Sequence, residues 1–106
     1  MRNFCSDILI HESRLDILVL NAGAGAKCLK LTEDNLEQQF QSNHLSHFLM
    51  AKLLKDRMIE TAQRHGTQSR IVVTSSLAHL LGRINLKNIV SHSLFSQHPF
   101  KVGQVD

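Results

Sequence analysis

Four consecutive aliphatic residues, Ile17–Leu20, stand between a charged stretch and a run of small residues in the segment LDILVLNAGAG, Leu15–Gly25. An unbroken apolar run is what a strand covered on both faces of a parallel sheet requires, because neither face tolerates a polar alternation. Asn21, Ala22, Gly23, Ala24 and Gly25 would then occupy the carboxyl end of that strand. In open α/β sheets the ligand crevice lies outside that end of the strands. Small residues let the backbone approach a flat ligand closely, and an Asn side chain can bond to neighbouring loops. A hydrophobic strand that stops at an ordinary glycine turn accounts for the same residues.

The elements on either side extend this into a unit. Residues 2–13 predict a helix, with Phe4, Ile8 and Leu15 at helical spacing. Thr32, followed by Glu33 and Asp34, reads as the N-cap of a second helix that runs to about Arg64, with Gly66 as its left-handed C-cap. Steps of three and four trace one face of it: Leu36, Phe40, Asn43, His47, Met50, Leu54 and Met58. Asn43 and His47 interrupt an otherwise apolar stripe, and a buried amide without partners costs ~1–3 kcal/mol. From the residues alone, Asn43 reads as a tie between the helix and a neighbouring backbone. Arg70–Thr74, rich in β-branched residues, predicts the second strand. Strand, long helix and strand make a βαβ unit with parallel strands and a right-handed crossover. Ser75 and Ser76 then lie beside the NAGAG loop at the carboxyl ends. From Leu77 onward the pattern weakens, and Ser91, His92, Ser93, Ser96, Gln97, His98 and Pro99 read as a surface excursion.

Several functional classes are excluded or disfavoured. The chain of 106 residues is one domain or a piece of one. Its formal charge of +3 comes from scattered Lys and Arg rather than from a basic stripe, which argues against nucleic acid. Cys5 and Cys28 have no CxxC spacing and read as free thiols in a reducing compartment. No run approaches the ~18 apolar residues of a membrane span, and polar residues break up Met1–Ile10, so a cytoplasmic location is the default expectation. The segment around Ser76 lacks both glycines of a GxSxG nucleophile elbow. Lys27 is followed by Cys28 where a phosphate loop needs Ser or Thr, and GxGxxG is missing. Among seven His, His44 and His47 lie one helical turn apart without further ligands at a familiar separation, so no metal site is expected. His65, His79, His92 and His98 read as loop or surface residues.

Ser76 is the sharpest chemical candidate. A hydroxyl held at a strand end can donate to a substrate carbonyl as charge develops on its oxygen, although a separate acid must supply the proton. A Ser pair that merely caps the next turn is the bland reading.

LDILVLNAG (Leu15–Gly23), FQSNHLSHF (Phe40–Phe48) and SRIVVTSSLAHLLG (Ser69–Gly82) together resemble the short-chain dehydrogenases/reductases, in the branch of retinol dehydrogenases and WW-domain oxidoreductases. The resemblance covers most of residues 2–90 in the right order. It implies an α/β fold, the central βαβ portion of a Rossmann-type doubly wound parallel sheet, with residues 1–106 forming a single partial NAD(P)-binding domain. Asn21, Ala22 and Gly23 match the family's NNAG turn, which lies against the nicotinamide cofactor, with Leu20 in place of the first Asn. Asn43 matches the Asn of the catalytic tetrad that holds a water in the proton relay, a role that displaces the simple tie. Ser76 matches the catalytic Ser, and Thr74 would sit beside the nicotinamide ribose. The family passes a hydride between NAD or NADP and an alcohol or carbonyl, with a Tyr as acid/base and a Lys lowering its pKa. The YxxxK motif and the N-terminal cofactor loop are both missing, and the sequence holds no Tyr. The expectation is therefore a central fragment of an oxidoreductase for retinoid, steroid or lipid-like substrates, inactive by itself. Membrane association of the parent is compatible with this branch. A non-catalytic product that pairs with a partner or a second copy through its open sheet edges is the alternative.

Overall fold

A computed structural model of the chain describes residues 1–25 and 30–80. Helix α1 (Arg2–His11) leads into strand β1 (Ile17–Leu20). A short helix α2 (Gln38–Phe40) passes through a π turn (Gln41–Leu45) into the long helix α3 (Ser46–His65). Strand β2 (Arg70–Val73) and a 3₁₀ turn (Leu77–Leu80) follow. The excursion expected around 91–99, and Cys28, lie outside the described residues.

β1 and β2 form a two-stranded parallel sheet in the register Ile17↔Arg70, Leu18↔Ile71, Val19↔Val72 and Leu20↔Val73. Backbone bonds continue past both strand ends, Arg70 N–H to Asp16 O at 2.8 Å and Thr74 N–H to Leu20 O at 3.1 Å. This is the partial Rossmann-type α/β unit that the motifs imply.

Side chains alternate across a strand, and the core uses one face of β1 only. Leu18 and Leu20 pack with Cys5 of α1 and with Leu54 and Met58 of α3, all buried. Leu54 is fully enclosed, and burying a side chain of this size stabilises by about 1.5–3 kcal/mol. Thr61, also buried, accepts a hydrogen bond from Leu15 N–H at 2.9 Å and so ties α3 to the start of β1. Arg57 reaches back from α3 to the carbonyls of Leu9 and Glu12, where α1 ends. The expectation of a strand covered on both faces is corrected here: Ile17 and Val19 are each 58 % exposed. Both helices contribute to the cluster on the Leu18–Leu20 face. Among the described residues no layer covers the other face.

Two further expectations change. Thr32 does not cap the long helix. Its carbonyl accepts from Asn35 N–H at 2.9 Å, its N–H donates to Leu36 O at 2.9 Å, and Asn35 takes a positive φ of 59°. This is a tight turn, a conformation that short polar residues such as Asn tolerate. The helix starts six positions after Thr32, where the buried Glu37 carboxylate accepts from Gln39 N–H at 2.8 Å and Phe40 N–H at 2.7 Å. The apolar stripe also breaks. Leu54 and Met58 are buried, but Asn43 is exposed and Leu36 precedes the helix. The π turn, closed by Ser46 N–H to Gln41 O, widens the coil and shifts its phase, so residues before and after it do not share one face. The far end matches the expectation: Gly66 takes φ 61° and closes α3 in the left-handed conformation.

Candidate functional site

The parallel register sends both strands out at the same end, where the loop after β1 meets the segment after β2. Thr74 Oγ1 donates to Asn21 Oδ1 at 2.7 Å, a direct bond between the two strand tips. The Thr74 hydroxyl proton is thereby committed, which leaves its oxygen as an acceptor.

Asn43 reaches the same loop from the π turn. Its Oδ1 accepts from Ala24 N–H at 2.9 Å and its Nδ2 donates to Ala24 O at 2.8 Å. One amide thus satisfies both main-chain groups of Ala24, which no ladder partner serves at this point. Ser42 Oγ supports it, donating to Gln38 O at 2.7 Å with a longer approach of 3.2 Å to Asn43 Oδ1. Placing a polar residue here requires the helix to present it toward β1, and the π turn performs that local re-aiming. π turns of this kind recur at functional sites.

Asn21, Ala22, Gly23, Ala24 and Gly25 are all exposed. A Cβ built on Gly23 or Gly25 would meet no described atom within 4 Å. Packing among the described residues therefore gives no reason for glycine at either position. An open floor of small residues suits a flat ring laid against the backbone, so the residues present fit a nicotinamide.

Ser76 lies two residues beyond Thr74 and immediately precedes the 3₁₀ turn. Its carbonyl accepts from His79 N–H at 3.1 Å, and His79 Nδ1 approaches the same oxygen at 2.6 Å. Asn21, Ala22, Gly23, Asn43, Thr74 and Ser76 accordingly gather at one end of the sheet. Three contributors escaped the sequence reading: Ala24 as the anchor of Asn43, Glu37 as the cap that starts the helix, and His79 on Ser76. A carboxylate six residues ahead of Asn43 was the available signal for the cap; the others depend on the fold alone.

Away from this end, a shallow apolar groove lies between α3 and β2, lined by Lys55, Met58, Ile59, Ala62, Ser69 and Ile71. It contains none of the residues above. At the opposite end of the sheet, Arg14 grips Asp16 through Nε at 2.7 Å and Nη2 at 3.0 Å. That hydrogen bond holds the Asp16 carboxyl below the ordinary carboxylate value. Burial pushes the Cys5 thiol up, away from thiolate chemistry. Among the described residues no three His, Cys, Asp or Glu are arranged to hold a metal ion, and no helix is long and apolar enough to cross a membrane.

Residues 1–88 match the family profile described as short chain dehydrogenase. The chain belongs to the short-chain dehydrogenase family, whose members generally use NAD or NADP. It is 39% identical over 97 residues to mouse retinol dehydrogenase 14, covering 92% of this chain and 28% of that protein. It is 42% identical over 89 residues to human retinol dehydrogenase 13, covering 84% and 25% respectively. Similarity extends to the chloroplastic short-chain dehydrogenase TIC 32 A of Brassica napus, 42% identical over 79 residues, 74% of this chain and 25% of that protein. The chain thus spans about a quarter of the length of these relatives. No solved structure matches it.

Proposed function

We propose that these residues form the central part of the nicotinamide site of an NAD- or NADP-dependent oxidoreductase that interconverts alcohols with aldehydes or ketones, and that its substrates are retinoid, steroid or lipid-like. The observation that carries this reading is the convergence at one sheet end: the Thr74–Asn21 bond joins the strand tips, and Asn43 clamps the small-residue loop beside them. The bound nicotinamide supplies or accepts the hydride. Gly23 and its neighbours form the open floor against which its ring rests. Thr74, its proton given to Asn21, accepts a hydrogen bond from a ribose hydroxyl. Ser76 donates its hydroxyl proton in a hydrogen bond to the substrate oxygen, and this donor gains strength as negative charge develops there. Asn43 Oδ1 and one Nδ2–H serve Ala24, which leaves its second Nδ2–H and its main chain to hold a water. The polypeptide of 106 residues carries no Tyr, hence no tyrosine acid, and by itself gives no turnover.

The test places residues 1–88 in the matching stretch of human retinol dehydrogenase 13. The chimera is expected to reduce a retinoid aldehyde with NADH or NADPH, and Ser76→Ala to lower kcat about 10²–10³-fold, the range for losing a preorganised donor. A chimera that folds, binds cofactor and turns over equally well with Ser76→Ala refutes the assignment. The second reading, a non-catalytic product that pairs with a partner strand or second copy, rests on the outer edges of β1 and β2, which no other strand among the described residues covers. It gains if the 106-residue chain forms a stable complex of defined stoichiometry, while the Ser76 variant has no effect in the chimera.

A further inference from the structure

Ser76 follows the end of β2 and is exposed, outside the sheet ladder. A four-residue 3₁₀ turn is a weak support for it, since such turns have poor hydrogen-bond geometry. The turn here has a second anchor. His79 Nδ1 lies 2.6 Å from Ser76 O, the oxygen that already accepts His79 N–H at 3.1 Å. A carbonyl can only accept, so Nδ1 carries the proton. When the imidazole is neutral, Nε2 is then the unprotonated nitrogen. Two donors from one residue fix the orientation of the Ser76–Leu77 peptide plane, and with it the direction in which Cα presents Cβ and the hydroxyl.

We propose that His79 is a positioning residue for Ser76: its Nδ1–H, closing a side-chain-to-backbone loop around the 3₁₀ turn, holds the serine hydroxyl in the orientation that the reaction uses. This rests on the reading of Ser76 as the group that touches substrate. It makes no use of the imidazole as an acid or base.

In the chimeric enzyme, His79→Ala is expected to lower kcat roughly tenfold, as loss of one neutral hydrogen bond from a preorganised site. KM and cofactor affinity should stay within about twofold, because binding of the remainder is untouched. His79→Asn, whose Nδ2–H occupies nearly the place of Nδ1–H, restores most of the rate, and His79→Gln, with its amide one bond further out, does not. In the 106-residue chain, the imidazole nitrogen shifts of neutral His79 in ¹⁵N NMR should report the Nδ1–H tautomer. The proposal is overturned by a His79→Ala enzyme with unchanged kcat, by Asn performing no better than Gln, or by the Nε2–H tautomer. A Ser76→Ala chimera with full turnover refutes the underlying assignment instead, and the two failures are thereby told apart.

Discussion

Asn43→Ala removes both hydrogen bonds to Ala24, at 2.9 and 2.8 Å, without touching the core formed by Leu18, Leu20, Leu54 and Met58. A typical intramolecular hydrogen bond contributes about 0.5–1.5 kcal/mol net, which bounds the clamp at ~1–3 kcal/mol. Asn43 and Ala24 are exposed, so water competes for both groups and the lower half, ~1–2 kcal/mol, is the expected value. That corresponds to roughly a 5–30-fold change in a local opening equilibrium. Residue-resolved amide hydrogen exchange reads it directly: Ala24 N–H loses protection by this factor, while amides in the middle of α3 keep theirs and serve as the internal reference. Asn43→Asp adds a sign. The ionised carboxylate accepts from Ala24 N–H but repels Ala24 O, whereas the protonated acid restores the donor. The folded-state pKa of the introduced acid therefore rises above its unfolded value of about 3.9. Its contribution to stability is fully present below that unfolded value and is lost as pH rises through the folded one. Equal Ala24 exchange in the parent and Asn43→Ala proteins, with α3 unchanged, would show that the loop is held by something other than this amide.

Leu54→Ala opens a cavity at a fully enclosed position and should cost about 2–5 kcal/mol; the urea midpoint of the far-ultraviolet helix signal checks it, and an unchanged midpoint refutes the placement of Leu54 at the centre of the core. Arg14→Ala removes the donor that depresses the Asp16 carboxyl. Because that folded pKa lies below its unfolded value, the pair's contribution is present above the unfolded value and lost as pH falls through the folded one. Carbon NMR titration should accordingly show the Asp16 pKa moving up in the variant.

What the sequence determined by itself was local and periodic. Four aliphatic residues ending in a small-residue loop, a β-branched run at Ile71–Thr74, and glycine after His65 each report a nearest-neighbour preference, and each element appears where expected. Three short motifs in the right order also carried the family. Tertiary structure decided the rest. Thr32, Glu33 and Asp34 have the chemistry of a helix start, yet the positive φ at Asn35 turns the chain away and gives that task to Glu37. Periodicity assumes one residue-per-turn value throughout, so it could not foresee the π turn that takes Asn43 out of the apolar stripe. Nor could local pattern show that Asn43 would spend its amide on Ala24, or that His79 would close on Ser76, since a hydrogen bond between loops depends on where the loops lie in space. Strand burial belongs in the same class: Ile17 and Val19 have the composition of an interior strand, but coverage is a property of neighbouring layers, and both helices contribute to the cluster on the opposite face.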